Sequence, residues 1–171
     1  MKNIRCILID VDGTLTNGNI YIGEKDKEEF KVFNVKDGMG IIKAIKEGLI
    51  IGFITGRTSS AVSHRANELN VHYVYQGNNK KVDIINEISK KENISLNDIL
   101  FIGDDINDYM AMKHVGYCAC PNDAANDILE ISNYISTKNG GNGAVRDIIE
   151  YVLKLQNKWR VNNEYSSYYT K

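Results

Sequence analysis

Two aspartates stand immediately after the first apolar run of the chain. The run CILI is followed by Asp10, Val11 and Asp12, with Gly13 behind them. A carboxylate can attack phosphorus and form an aspartyl phosphate, and a neighbouring carboxylate can protonate the leaving oxygen and then activate water. We therefore predict that Asp10 is a nucleophile and that Asp12 is a general acid and base. Gly13 permits a tight turn after them.

Further polar side chains follow the other short apolar runs. In an open α/β sheet, ligands bind beyond the carboxyl ends of the strands, so these side chains should converge on one crevice. Clustered carboxylates repel one another unless a cation neutralises them, and all-oxygen ligands suit Mg²⁺. A Mg²⁺ beside a threonine, an arginine and a lysine is a place for a phosphoryl group. The residues concerned are Thr55, Arg57, Lys80, Lys81, Asp104, Asp105 and Asp108.

The elements that must position these residues alternate between strand and helix. Short apolar runs bounded by Gly, Asp, Asn or Pro are typical of buried parallel strands. The alternation predicts an α/β fold with a doubly wound, mostly parallel sheet. Strands are predicted within 4–10, 48–55, 71–76, 98–104, 116–121 and 133–137. Helices are predicted within 37–48, 59–70, 79–93 and 144–159, with one short turn at 95–98.

One segment breaks this alternation. Residues 19–35 contain two extended runs around a charged turn, which predicts a β-hairpin that projects from the sheet. No segment is large enough for a second domain, so we predict one domain over residues 1–157. Residues 158–171 form a polar tail, which is either disordered in isolation or docked on a neighbouring subunit.

Composition excludes several classes of partner. The formal net charge of -1 gives no basic excess for nucleic acid. The longest apolar run is far shorter than the roughly 20 residues that a membrane span needs, and the chain enters a strand directly, so no secretory signal is expected. Cys6, Cys118 and Cys120 cannot all pair with one another, and we expect buried thiols in a reducing, cytoplasmic compartment.

The sequence resembles the haloacid dehalogenase superfamily of phosphotransferases over residues 5–155. "DVDGTLT" is similar to the first motif of that superfamily, and "ITGR", Lys81 and "GDDIND" match the second, third and fourth in order. Within the superfamily, "KVFNVKDGMGIIKA", "YQGNNKK" and "GGNGAVRD" resemble the branch of 3-deoxy-D-manno-octulosonate 8-phosphate phosphatases, which lacks a cap domain. The resemblance implies a Rossmann-like fold and a Mg²⁺-dependent hydrolysis of a sugar-acid phosphate. It also implies a homotetramer, in which hairpins and C-terminal segments of adjacent subunits cover the active site.

Carried over by position, the resemblance implies a set of metal-binding residues. Mg²⁺ would be held by Asp10, by the backbone carbonyl of Asp12 and by Asp104. Asp105 and Asp108 would support these ligands from behind.

The resemblance also implies phosphoryl and substrate contacts. Thr55 and Lys81 would hold the phosphoryl group, and Lys81 is preferred to Lys80 because the lysine of the branch lies five residues after the glutamine of "YQG". The branch has arginine where this chain has Lys36, and lysine lacks the bidentate fork of arginine. The substrate-contacting positions are Asn34, Lys36, Asp37, Arg57 and Arg65.

Several alternatives remain open at this point. A signalling receiver domain also uses an acidic pair, a threonine and a lysine, but its phospho-acceptor lies in the middle of the chain. A non-catalytic assembly module would have no need of Asp10 beside Asp12. Within the phosphatases, a nine-carbon, sialic-acid-type 9-phosphate is the alternative substrate. Arg146 is either a surface residue or one that reaches into a neighbouring site.

Overall fold

A computed structural model describes residues 1–23 and 29–160 of the chain. Among these residues, six strands form one parallel sheet in the order β5-β4-β1-β6-β7-β8, and two more form an antiparallel pair, β2-β3. The strands are β1 (Cys6–Ile9), β2 (Tyr21–Ile22), β3 (Glu29–Phe30), β4 (Ile50–Ile54), β5 (Tyr73–Tyr75), β6 (Ile99–Ile102), β7 (Tyr117–Cys120) and β8 (Tyr134–Ile135). The helices are α1 (Val35–Lys46), α2 (Ser60–Glu68), α3 (Lys81–Glu92), α4 (Tyr109–His114), α5 (Asn126–Ile131) and α6 (Ala144–Leu155). The predicted α/β fold with a doubly wound parallel sheet is confirmed.

The sheet is buried on both faces. Successive side chains of a strand point to opposite sides, so Ile7 and Ile9 pack in the same core as α1, α2 and α6. Cys6 and Leu8 pack in the opposite core with α3, α4 and α5. This is why β1 is a continuous apolar run rather than an alternating one.

The observed helices differ from the predicted ones in two main respects. The last helix, predicted to reach residue 159, ends at Leu155 because Asn157 adopts a left-handed φ of 57°. The chain then folds back, and the backbone N–H groups of Lys158 and Trp159 both donate to the carbonyl of Leu153. The helix α5 was not predicted, because its six residues give too short an apolar pattern. None of the helices in the described ranges has the length and hydropathy to cross a bilayer.

The predicted hairpin is present in its paired strands. Tyr21 lies opposite Phe30 and Ile22 opposite Glu29 in an antiparallel pair. The charged turn predicted between these strands falls at residues 24–28, which lie outside the described part of the chain. The predicted polar tail also lies outside them from residue 161 onward.

The loop before α6 packs tightly against the turn that follows β1. Gly13 occupies this turn with a φ of 96°, and the backbone N–H of Gly141 donates to the carbonyl of Thr14 over 3.1 Å. A Cβ added at Gly140 would lie 1.7 Å from the carbonyl oxygen of Gly13. The glycines of "NGGNGAV" therefore permit close approach of two backbones, and one of those backbones carries the two leading aspartates.

We expect Gly140→Ala to lower the free energy of unfolding by roughly 1–3 kcal/mol, because the new methyl group must displace one of these backbones. Urea denaturation of the wild type and the variant measures the change. The matched control is Asn139→Ala, since that neighbouring side chain is exposed. Equal midpoints for wild type and Gly140→Ala would contradict the close packing of this loop.

Candidate active site

The carboxyl ends of neighbouring strands bring the predicted residues together. Asp10 follows β1, Thr55 follows β4 and Asp104 comes two residues after β6, and these three strands are adjacent in the sheet. Lys81 is the first residue of α3. Asp10, Thr55 and Lys81 are 3%, 2% and 3% exposed. The convergence expected from the order of the motifs is therefore present in the geometry.

Lys81 lies between two buried carboxylates. Its Nζ donates over 2.5 Å to Oδ1 of Asp10 and over 2.5 Å to Oδ1 of Asp108. Asp108 is fully buried, and its other oxygen accepts from the backbone N–H of Asp104 over 3.1 Å. Buried charges are tolerated when they are paired and hydrogen-bonded in this way. Lys80 is exposed, so the geometry agrees with the choice of Lys81.

Three carboxylates form a cluster beside this lysine. Asp10, Asp104 and Asp108 each offer an oxygen, and these oxygens lie within 4.8 Å of one another. Burial raises the pKa of Asp104 to about 7. The hydrogen bond from Thr14 opposes this rise, and the charge of Asp108 adds to it. Burial, followed by the charge of Asp108, also raises the pKa of Asp10, although Lys81 opposes this.

The cluster fits a divalent cation. Its ligand atoms are all oxygens, which Mg²⁺ prefers, and its carboxylates repel one another without added positive charge. Both oxygens of Asp108 are already engaged, by Lys81 and by the backbone of Asp104. Asp10 and Asp104 are therefore the side chains suited to hold the ion, with Asp108 fixing their surroundings.

Asp12 points away from this cluster. Its Oδ2 accepts from the hydroxyl of Thr55 over 3.3 Å. Its Oδ1 contacts the ammonium of Lys31, which comes from the segment just after β3. The two oxygens of Asp12 are thus held by Thr55 and Lys31 rather than by the cluster.

Two cavities meet at this edge of the sheet. The smaller has a volume of about 270 Å³ and is lined by Asp10, Asp12, Thr55, Gly56, Arg57, Asn79 and Asn107. The larger has a volume of about 590 Å³ and lies between helix α2 and the segment formed by β3 and the residues after it. Its walls include Glu29, Lys31, Phe33, His64 and Arg65. The smaller is the site of the predicted chemistry, and the larger adjoins it.

The structure places the predicted substrate-contacting residues in different surroundings. Arg57 lines the smaller cavity and pairs with Glu29 over 2.5 Å. Arg65 lines the larger cavity and pairs with Glu68 over 2.7 Å. Lys36 is exposed at the start of α1.

Asn34 and Asp37 act within the fold. Asn34 caps α1 by accepting from the backbone N–H of Lys36 over 2.8 Å, and it donates to the carbonyl of Gly141. Asp37 is 1% exposed. Its two oxygens accept from the backbone N–H groups of Gly143 and Arg146, over 3.2 and 2.7 Å. In the single chain, Asp37 thus caps α6 rather than lining either cavity.

Asp105 and Arg146 also have local partners. The Asp105 side chain is exposed and accepts from the backbone N–H of Ile106 over 2.7 Å, so it caps the short turn Ile106–Asp108. The guanidinium of Arg146 lies 4.6 Å from the ring centre of Trp159 and pairs with Glu150. Within the single chain, Arg146 is therefore held by Glu150 and Trp159.

Sequence reasoning missed four residues at the site. Thr14 donates to Asp104 over 2.8 Å, and Asn107 lines the smaller cavity. Lys31 and Glu29 lie 2.6 Å apart beside Asp12. Their spacing in "EFK" puts both on one face of an extended segment, which was the available signal.

Known proteins resemble this chain along most of its length. The sequence model of the haloacid dehalogenase-like hydrolases matches residues 70–149. A 3-deoxy-D-manno-octulosonate 8-phosphate phosphatase of Escherichia coli strain K12 is 35% identical over 157 residues, which cover 92% of this chain and 83% of that protein.

Solved structures show the same relation. The phosphatase of this name from Moraxella catarrhalis, in complex with magnesium, phosphate and a KDO molecule, is 38% identical and has a TM-score of 0.88. That match covers 91% of this chain and 89% of that chain. The cobalt-bound phosphatase from Haemophilus influenzae is 26% identical, has a TM-score of 0.87 and covers 91% of each chain.

We expect Asp37→Ala to lower the free energy of unfolding by about 2 kcal/mol or more, because two buried N–H groups lose their acceptor. Urea denaturation measures this change, and Asp127→Ala is the control, since Asp127 is an exposed acid in the first turn of α5. Unchanged stability together with an increased KM would instead favour the predicted substrate contact.

We expect Mg²⁺ to stabilise the protein more at pH 8 than at pH 6. Folding raises the pKa of Asp104 to about 7, so the metal-free folded state loses stability as the pH rises from the unfolded value of about 3.9 through the folded value. The ionised carboxylate that appears over this range is the form that binds the cation. The measurement is the difference in Tm between Mg²⁺ and EDTA, taken at both pH values. This difference should be smaller for Asp104→Asn. An equal difference at both pH values for the wild type would contradict the prediction.

Proposed function

The chain belongs to the haloacid dehalogenase-like hydrolases, within the family of the 3-deoxy-D-manno-octulosonate 8-phosphate phosphatases, and from this premise we propose that it hydrolyses that sugar-acid phosphate with Mg²⁺. The products are 3-deoxy-D-manno-octulosonate and phosphate. One observation supports this most directly. Asp10 and Asp12 line the same small cavity, yet one contacts Lys81 and the other contacts Thr55. Two carboxylates in different surroundings suit two different roles in one reaction.

Asp10 is the proposed nucleophile. Its carboxylate oxygen forms a bond to phosphorus while the bond from phosphorus to the sugar oxygen breaks. Lys81 lies against Asp10 and orients this carboxylate, and its ammonium is placed to meet the negative charge of the phosphoryl oxygens. Thr55 donates its hydroxyl at the same edge of the cavity.

Asp12 is the proposed acid and base. It gives a proton to the departing sugar oxygen, and later takes a proton from the water that attacks the aspartyl phosphate and releases Asp10. When bound, Mg²⁺ supplies positive charge against the phosphoryl oxygens. Asp10, the backbone carbonyl of Asp12 and Asp104 are proposed to hold it, with Asp105 and Asp108 supporting them.

The larger cavity is proposed to take the sugar acid. It adjoins the smaller cavity, and Arg65 lies in its wall while Arg57 lies in the wall of the smaller one. Two guanidinium groups suit the carboxylate and hydroxyl groups of such a substrate. Asn34 and Lys36 stay as proposed contacts that depend on a neighbouring subunit, since the single chain does not place them in either wall. The buried carboxylate of Asp37 is engaged in capping α6.

A further proposal concerns assembly and location. We propose a homotetramer, because the hairpin segment leaves apolar side chains exposed, among them Ile22, Phe30 and Val32. We also propose a cytoplasmic location, supported by three buried free thiols. Residues 1–157 are proposed to form one domain followed by a polar tail. Light scattering coupled to size exclusion measures the assembly, and a monomer would contradict it.

We expect phosphate release from 3-deoxy-D-manno-octulosonate 8-phosphate in the presence of Mg²⁺ and none in EDTA. Asp10→Asn should lower the rate by roughly 10³-fold or more, because the amide cannot act as the nucleophile, while Asp127→Asn should leave it unchanged. A panel that includes nonulosonate 9-phosphates tests the substrate. Preference for a nine-carbon acid would keep the mechanism and change the substrate, whereas turnover by Asp10→Asn would contradict the nucleophile.

A further inference from the structure

We propose that Lys31, held in place by Glu29, is a positioning residue that fixes the carboxylate of Asp12 for proton transfer to the departing sugar oxygen. This inference rests on the proposed phosphatase function, and it assigns a task to the segment that follows the hairpin.

The side chain of Lys31 is buried although it comes from a largely exposed segment. Its side chain is 3% exposed, whereas Phe30 and Val32 on either side of it are 53% and 61% exposed. Its ammonium contacts Oδ1 of Asp12 and lies 2.6 Å from Oε1 of Glu29. A buried ammonium is stable only when it is paired, and Asp12 and Glu29 supply this pairing.

The contacts continue to a fourth charge. Oε2 of Glu29 accepts from Arg57 over 2.5 Å. Along the row Asp12, Lys31, Glu29 and Arg57 the charges alternate in sign, so each contact is attractive. Arg57 and Asp12 line the smaller cavity and Lys31 and Glu29 line the larger one. The row therefore lies where the two cavities meet, which is where the bond between phosphorus and the sugar oxygen must lie.

The two carboxylate oxygens of Asp12 have different partners. Rotation about the terminal torsion of an aspartate is broad and nearly two-fold, so a carboxylate at the cavity wall does not by itself hold one orientation. Here Lys31 binds Oδ1 and the hydroxyl of Thr55 binds Oδ2. Lys31 thereby keeps Oδ2 beside Thr55, the residue proposed to hold the phosphoryl group.

The charge of Lys31 suits the step that Asp12 performs. As Asp10 bonds to phosphorus, the bond to the sugar oxygen breaks, and that oxygen takes the proton of Asp12. Negative charge then develops on the Asp12 carboxylate, next to an ammonium that is already in place. The same ammonium holds the carboxylate when it accepts a proton from water in the second half of the reaction.

The test is Lys31→Met, which keeps the length of the side chain and removes its charge. On 3-deoxy-D-manno-octulosonate 8-phosphate we expect kcat to fall by roughly 10²-fold, the scale of one general acid, with KM changed little. On phenyl, 4-nitrophenyl and 2,4-dinitrophenyl phosphate, the loss in kcat/KM should shrink in that order, because better leaving groups need less protonation. These aryl substrates carry no sugar acid, so a loss that depends on the leaving group cannot come from a lost sugar contact.

Three further variants complete the test. Lys31→Arg should restore part of the loss, Glu29→Gln should show a weaker form of the same leaving-group dependence, and Lys90→Met, an exposed lysine of α3, should behave as wild type. A raised KM with unchanged kcat, or an equal loss on all aryl phosphates, would overturn the inference. An inactive wild type would overturn the proposed function as well, whereas an active wild type matched by Lys31→Met overturns the positioning role alone.

Discussion

The geometry of the site depends on one buried ammonium between two carboxylates. Burial alone lowers the pKa of Lys81, but the charges of Asp10 and Asp108 outweigh it and raise the pKa above its usual value. The lysine therefore stays charged, and it ties the start of α3 to the ends of β1 and β6. Because Asp108 also accepts from the backbone of Asp104, the same interaction fixes the loop after β6. Removing the lysine would leave two buried carboxylates without a countercharge.

The rest of the fold holds this group in place by packing around the turn after β1. The loop before α6 lies directly on that turn, with no room for a side chain at Gly140. Asp37 at the start of α1 caps the helix that follows the loop. The turn that carries the two leading aspartates is thus fixed by the loop before α6, whose Gly141 N–H donates to the carbonyl of Thr14.

The sequence predicted those parts of the structure whose signal is local. Asp10, Thr55 and Asp104 each follow an apolar run, and parallel strands bring such positions to one edge of the sheet. Asp37 shows where this reasoning stops. An acid in the first turn of a helix is equally compatible with a ligand contact and with a capping role, and the partner of Asp37 is a distant helix. Lys31 shows the same limit of local sequence patterns. Its ammonium contacts Asp12, which is distant in the sequence, and the adjoining two-residue strand β3 gives no sign of this contact.

The three clustered carboxylates also make the site sensitive to its charge balance. Where all three are ionised, they face the ammonium of Lys81, so the cluster carries excess negative charge. A phosphate ester is itself an anion and is repelled by such a surface at close range. A divalent cation held by Asp10 and Asp104 would offset this repulsion. Such an ion would then serve the approach of the substrate as well as the reaction.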